Sequence, residues 1–354
     1  MKKVAMILFS PNEITLESKV AFLRQPTSFP ESTHHVEAIE THMSWVFLTN
    51  GYAYKLKKPV HYDALDFRTI AARRHYCEEE VRLNRRLADS VYLGVVSLTV
   101  DQIGHLQFDG CGVAIDFLVK MRRLPAQHML DYAIKDGTAQ PEDIGKIAAL
   151  LSDFYRALTP VSIDPAAYRN RFLVAIHRNL RELSATCYQL QVETVEQVCT
   201  AQHAALQQMS GWFNQRVQAG RIIEGHGDLR PEHICLRPDL VIIDCLEFSP
   251  EMRQVDAVDE LGFLALECER LGAGALGVML IEDYERISGD RPDPALIHFY
   301  QSYRACIRAT IAIRHLDEEK FRHSAEWPRR AIEYLRLAER HIQQCTKSVQ
   351  SHIH

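Results

Sequence analysis

At 354 residues, with 47% hydrophobic and 25% charged side chains, the chain is long for one core and suits two lobes; that balance excludes a disordered protein and, with no run of ~20 apolar residues, a membrane span. A net charge of −5 excludes the general basic footprint of a nucleic-acid binder, so neither a nucleic acid nor a membrane is the expected partner. Nine cysteines without a C-x-x-C pair indicate neither a disulfide framework nor a zinc ribbon.

The chain starts MKKVAMILFSPNE, whose apolar stretch Val4 to Phe9 is shorter than a secretory h-region and lacks a small-residue cleavage site, so a cytoplasmic location is expected. A modest helix from Leu16 to Leu23 and the connector QPTSFPEST complete an N-terminal region, residues 1–35. From Val36 the segments VEAIETHMS, WVFLTNGYAYKLK, VVSLTV, LQFDG and VAIDFLVKM read as strands, interrupted by one long helix from Thr69 to Ala88. Residues 36–123 thus form a sheet with an inserted helix, the expected nucleotide-binding lobe.

Within it, Asn50-Gly51 predicts a two-residue hairpin turn that sets Leu48 opposite Ala53 and Val46 opposite Lys55. Side chains two apart share a face, so Val46, Leu48, Ala53 and Lys55 make an apolar patch ending in one ammonium, suited to an adenine ring with phosphates beside it. The competing reading is a surface hairpin whose Lys55-Leu56-Lys57-Lys58 run is solvated. On the following helix Glu80 shares a stripe with Tyr76, Leu83 and Leu87, where a carboxylate needs a partner; Lys55 is the candidate, with Glu79 as the alternative acid.

After Leu124 the pattern turns helical through PEDIGKIAALLSDFYRAL, a long segment from Pro165 to Val217, DELGFLALECERL, and two helices between Pro294 and Gln344. Strands first and helices later predict an α+β protein with a second lobe over residues 124–345, which would carry catalysis and the acceptor. The stretch EGHGDLRPEHICLRPDLVIIDCLEF, residues 224–248, interrupts those helices with a predicted hairpin. Asp228, His233 and Asp244 fall at its edges, and they can supply what phosphoryl transfer requires: a base for the acceptor hydroxyl and ligands for the metal on the phosphates.

The order H-x-D, hairpin, apolar-apolar-Asp, preceded by Y-A-Y-K at Tyr52 to Lys55, resembles the aminoglycoside phosphotransferase-like branch of the protein-kinase-like fold. More specifically, ETHMSWVFL, YKLKKPV, EEEVRLNRRLA, HGDLRPEHICL and IIDCLEF are similar to a bacterial group of that branch sometimes fused to a P-loop ATPase domain. The resemblance covers Val36 to Leu316. It implies ATP bound between the lobes, Lys55 on the α- and β-phosphates, Glu80 holding Lys55, Asp228 as base and Asp244 as principal Mg²⁺ ligand. It further implies that the turn Glu40 to Ser44, with Thr41 and Ser44, covers the phosphates, and that Lys120 to Arg123, with Met121, forms the hinge beside adenine. His233 stands where the wider fold has Asn; imidazole is a softer ligand, which admits Mn²⁺ beside Mg²⁺. A glycine-rich first loop is missing. No G-x-x-x-x-G-K-[ST] occurs in the sequence, so the resemblance implies a separate P-loop ATPase partner.

Three further motifs compete for attention. Gly272 to Gly277 matches G-x-G-x-x-G but follows an amphipathic helix instead of a strand, so it reads as a helix-ending turn. A hydrolytic zinc on His226, His233 and Asp228 lacks H-E-x-x-H or Cys/His spacing; His226 reads as a residue that fixes its loop, and Arg230 as either a phosphate contact or a partner of Glu232. Asp256 and Asp259 read as carboxylates at a helix N-terminus, Cys235 and Cys245 as buried strand residues. Two functions follow: transfer of the γ-phosphoryl group of ATP to a hydroxyl of an unidentified small molecule, or a weak or inactive nucleotide-binding regulator on the same fold.

Overall fold

The computed structural model describes residues 14–62 and 65–351; the apolar stretch Val4 to Phe9 lies outside them. The chain divides into two compact units, Met1–His128 with Val241–Pro250, and Met129–Leu240 with Glu251–His354.

The first unit opens with α1 (Leu16–Leu23), capped where the Thr15 hydroxyl accepts from the Ser18 N–H. Then come β1 (Glu37–Glu40), β2 (Ser44–Leu48), β3 (Tyr52–Lys57), β4 (His61–Tyr62), β5 (Leu65–Asp66), α2 (Ile70–Ala88), β6 (Tyr92–Val100), β7 (Leu106–Phe108) and β8 (Val113–Arg122). Six of these strands make one antiparallel sheet in the order β1-β2-β3-β8-β6-β7. Thr49 N–H donates to the Tyr52 carbonyl across Asn50-Gly51 at 2.8 Å, and β2 pairs with β3 in the predicted register. The segment VEAIETHMS is a strand only as far as Glu40. Beyond it the Ser44 N–H donates to Thr41 Oγ1 at 3.0 Å and the Thr41 N–H to the Ser44 carbonyl, which turns the chain between β1 and β2. Leu23 of α1, Phe47, Tyr54, Leu56 and Leu118 form the core of this unit. Buried Lys19 and Arg73 both bond the Asp116 carboxylate of β8, tying α1 and α2 to the sheet.

The second unit is mostly helical: α3 (Leu130–Lys135), α4 (Pro141–Ala157), α5 (Pro165–Leu183), α6 (Val192–Gln208) and α7 (Ser210–Gln218) precede the short β9 (Ile222–Glu224) and β10 (Ile234–Cys235). After β11 (Val241–Ile242), which belongs to the first unit, follow α8 (Pro250–Arg253), β12 (Gln254–Asp256), α9 (Ala257–Arg270), α10 (Gly274–Ser288), α11 (Pro294–Arg314) and α12 (Glu326–Ser351). The segment from Pro165 to Val217 is therefore three helices. Their aromatic core joins Phe172 to Phe213 at 5.4 Å between ring centroids and both rings to Phe299. Antiparallel β12 on β9 delivers Asp256 to the start of α9, where its carboxylate caps the Val258 N–H and takes two bonds from Arg216. The G-x-G-x-x-G stretch is the turn from α9 into α10, with Gly272 at φ +87°. Gly277 lets the two helices meet: a Cβ there would lie 2.8 Å from the Ala265 carbonyl oxygen.

Candidate active site

Lys55 and Lys57 project from the same face of β3, two residues apart. Lys55 Nζ bonds Glu80 Oε1 at 2.9 Å and Asp244 Oδ1 at 2.7 Å. Lys57 Nζ bonds the other oxygen of Glu80, at 2.5 Å, and Glu247 Oε1. The result is an alternating chain of five charges, Asp244, Lys55, Glu80, Lys57, Glu247, all within the first unit. Burial alone would push both ammonium groups down, yet Asp244 and Glu80 around Lys55, and Glu247 and Glu80 around Lys57, outweigh it and hold both above the ordinary lysine value. Burial pushes the Glu80 carboxyl up, and the two lysines more than reverse that, leaving it low. Glu79 instead forms a two-bond pair with Arg82 at 2.9 and 2.7 Å. Of the run Lys55 to Lys58 the solvated reading fails for Lys57, whose side chain is 0% exposed. Sequence reasoning missed Lys57 as a partner of Glu80; its signal was the two-residue spacing from Lys55.

Asp244 adopts the left-handed conformation, φ 63°, which Asp tolerates better than most residues. Its N–H donates to the Tyr92 hydroxyl at 3.1 Å, and the next N–H, of Cys245, donates to Asn84 Oδ1 at 2.9 Å. Asn84 lies one helical turn beyond Glu80, so a single face of α2 sets both Lys55 and the turn that carries Asp244. Neither Tyr92 nor Asn84 was singled out from the sequence. The Cys245 thiol accepts from Arg86 at 3.3 Å.

The sheet register also places the predicted adenine patch. Val46 opposes Lys55, while Ala53 opposes Leu48 on one side and Met121 on the other, so Val46, Leu48, Ala53 and Met121 share the face of Lys55. Lys120 points to the opposite face, with its ammonium over the Tyr52 and Tyr54 rings at 4.4 and 5.3 Å. Thr41 spends its hydroxyl on the Ser44 carbonyl at 2.9 Å, and Ser44 is buried, so both residues shape the β1–β2 turn.

In the second unit the loop from Gly225 to His233 is held from below by one carboxylate. Glu260, near the start of α9, accepts from the N–H groups of His226 (2.7 Å) and Gly227 (2.6 Å) and from the Tyr155 hydroxyl (2.8 Å). Gly225 makes room for it, because a Cβ there would sit 2.8 Å from both Glu260 oxygens. Asp259 binds Arg304 through two bonds of 2.8 and 2.7 Å, and Arg304 also reaches toward the Gly227 carbonyl. Asp256 and Asp259 are helix-start carboxylates, as the sequence predicts, but buried and salt-bridged ones.

His226 is buried and accepts from the Asp228 N–H at Nδ1, 3.4 Å, in keeping with a loop-fixing role. Arg230 pairs with both Asp228 (3.0 Å) and Glu232 (2.6 Å). Burial would raise the Asp228 carboxyl, but Arg230, His233, Arg308 and His226 outweigh it and hold it below the usual carboxylate value, so it stays ionised. His233 has both ring nitrogens in use: Nδ1 donates to the Asp228 carbonyl at 2.9 Å, which leaves Nε2 to accept from Arg230 Nη2 at 3.1 Å. Among the described residues no three His, Cys, Asp or Glu side chains cluster as a metal site. Burial pushes the Cys235 thiol up, as expected of a packed strand residue.

No family model matches the chain. Uncharacterised proteins of Mycobacterium tuberculosis and Mycobacterium bovis are 32% identical over 316 residues, which covers 88% of this chain and 60% of theirs, so the chain spans about three fifths of these relatives. Among solved structures, a choline/ethanolamine kinase family protein from Mesorhizobium loti superposes with a TM-score of 0.55 at 14% identity, covering 95% of this chain and all of that one. LicA in complex with AMP superposes with a TM-score of 0.51 at 16% identity, over 92% of this chain and 99% of that one. Choline kinase from Cryptosporidium parvum does so with a TM-score of 0.50 at 10% identity, over 92% and 95%. The chain has the α+β, protein-kinase-like fold of these proteins, with a small β-rich lobe and a larger helical one. Among the described residues no helix is long and apolar enough to cross a membrane.

Proposed function

We propose that the chain is an ATP-dependent phosphotransferase of the aminoglycoside phosphotransferase-like group, moving the γ-phosphoryl group to a hydroxyl of a small molecule. The observation that carries this reading is the bridge of Lys55 Nζ between Glu80 Oε1 and Asp244 Oδ1, at 2.9 and 2.7 Å. A lysine held by a buried glutamate next to an aspartate is what positioning a metal-bound triphosphate requires. The neighbouring patch of Val46, Leu48, Ala53 and Met121 suits adenine. Asp244 fits a hard divalent cation: its carboxylate is 45% exposed, and the lysine ammonium already on Oδ1 is a cation at that oxygen. Asp244 would hold Mg²⁺, which would supply charge neutralisation for the phosphates. Lys55 then orients the phosphates, Glu80 keeps Lys55 in place, and Asp228, held ionised, accepts or orients the proton of the acceptor hydroxyl. His233 orients the Asp228 loop; a metal at its Nε2 would have to displace Arg230.

A second reading, a nucleotide-binding regulator with little turnover, is favoured by one feature: Lys55 engages the very carboxylate that would take the metal. The test is Mg²⁺-dependent turnover of labelled ATP by the purified protein with a metabolite extract. A labelled product lost in Lys55→Met supports the enzyme. ATP binding without any labelled product supports the regulator, and the absence of ATP binding overturns both.

A further inference from the structure

At the far end of α9 from the Asp228 loop lies a feature that phosphoryl transfer does not use. Glu260 holds that loop; Glu269, nine residues on and about 14 Å along the helix, faces a cavity of about 450 Å³ between α9, α10, α11 and α12. That volume lies at the lower end of the range of small-ligand sites. Ala265, Val278, Ile281, Pro294 and Ile297 give it apolar walls.

Its polar side is ordered by a relay. His341, 4% exposed, lies 2.8 Å from Glu269 Oε2 through Nε2 and 3.1 Å from His298 Nδ1 through Nδ1. The carboxylate, held low chiefly by that His341 bond and further by Arg340, can only accept, so His341 carries its proton on Nε2. Its Nδ1 is then the acceptor and His298 Nδ1 the donor, shared with Gln301 Oε1 at 3.1 Å. Burial and the adjacent His341 hold His298 below the ordinary imidazole value, which keeps it neutral. What remains is the lone pair of His298 Nε2, an acceptor with no partner among the described residues.

Two more groups point the same way. Glu282 and Glu285, three residues apart on α10 and both lining the cavity, have no ion-pair partner among the described residues. Burial raises the Glu285 carboxyl, Arg291 lowers it, and Asp290 and Glu282 raise it further. Gln301, 7% exposed, spends its carbonyl on His298.

From this geometry we propose that the cavity is a binding site for a small organic ammonium compound with an apolar body: its N–H donates to His298 Nε2, Glu282 and Glu285 balance its charge, and its hydrocarbon fills the space between Ala265, Val278, Ile281 and Ile297. Charge complementarity selects the cation, because a carboxylate or phosphate would meet Glu269, Glu282 and Glu285 at once, and a neutral alcohol would gain nothing from them. The proposal stands apart from phosphoryl transfer.

Calorimetric titration of the full chain at neutral pH decides it, with phenethylamine as probe and phenethyl alcohol and phenylacetate as its neutral and anionic counterparts. Phenethylamine is expected to bind saturably and at least about tenfold tighter than the alcohol, with no saturable binding of phenylacetate. The double variant Glu282→Gln, Glu285→Gln, altered only at the cavity rim, should retain the unliganded melting temperature and bind the amine about tenfold more weakly. His298→Phe should weaken it further, and if that variant fails to fold the rim variant still decides. No saturable binding of the amine, equal binding of amine and alcohol, or an unchanged affinity in the rim variant would each overturn the proposal.

Discussion

Lys55 and Lys57 share Glu80, yet only one of them has a side chain any solvent can reach, 15% against 0%. Removing Lys57 strands the buried carboxylate of Glu247 and leaves Glu80 to Lys55 alone, so Lys57→Met is expected to cost about 3–5 kcal/mol of stability in urea unfolding. Lys55→Met leaves Glu80 paired with Lys57, and the Asp244 side chain is already 45% exposed. The variant's stability should fall much less, while turnover should drop by about 10²-fold or more. Equal losses of stability in the two variants would mean that the charges act as one undivided cluster. Asp228→Asn, which keeps the shape of the side chain, should retain ATP affinity and lower kcat by about 10²–10⁴; an unchanged kcat would remove Asp228 from the chemistry. The sequence made Glu80 legible because a carboxylate on an apolar helical stripe demands a cation. Lys57 stayed hidden because a run of three lysines reads as solvated until a second carboxylate, 190 residues away, is brought beside it.

At the scale of elements, what could be read was local. Asn50-Gly51 set the β2–β3 register, and Thr69 caps α2 by accepting from the Ala72 N–H at 3.1 Å, both decided within a few residues. The support of the Asp228 loop was not legible, because Glu260 lies 33 residues past Gly227 and among carboxylates that an ordinary helix N-terminus already accounts for. Burial raises the Glu260 carboxyl even though it accepts three bonds, so its charge depends on those donors staying in place. Gly225→Ala would push a methyl into that carboxylate. Overpacking of this kind costs about 1–3 kcal/mol, and the displaced loop should lower kcat without weakening ATP binding, since Lys55, Glu80 and Asp244 belong to the other unit. Nucleotide affinity measured beside kcat tests this. A loss confined to affinity would mean that the loop serves the nucleotide instead of the acceptor.

For the whole molecule the decisive event is that Val241–Pro250 leaves its sequence neighbours and completes the first unit, bringing Asp244 and Glu247 to the lysines of β3. Composition and periodicity predict two lobes, but no local pattern announces that ten residues cross from one to the other. The charges so assembled set an acid response whose sign can be worked out. Glu80, Asp228, Glu232 and Asp290 are held below their ordinary values by neighbouring cations, and Glu269 chiefly by its bond from His341. Each therefore adds stability that is complete above the unfolded-state pKa, about 4, and lost as pH falls through its lower folded value. Asp259, Glu260 and Glu285 are shifted upward, so their contribution runs the other way and declines as pH rises above about 4. The urea midpoint should thus climb from strongly acidic pH to about pH 4 and then flatten or fall slightly. Glu80→Gln isolates one share of that climb. At neutral pH the variant lacks a carboxylate between two ammonium groups and should be clearly less stable than the parent; in strong acid the parent has itself protonated Glu80, so the gap must close. Stability curves that run parallel from pH 2 to 7 (about five units, wide enough to span the carboxylate range) would show that Lys55 and Lys57 do not hold Glu80 ionised, and the charge chain joining the two lysines to Asp244 would lose its centre.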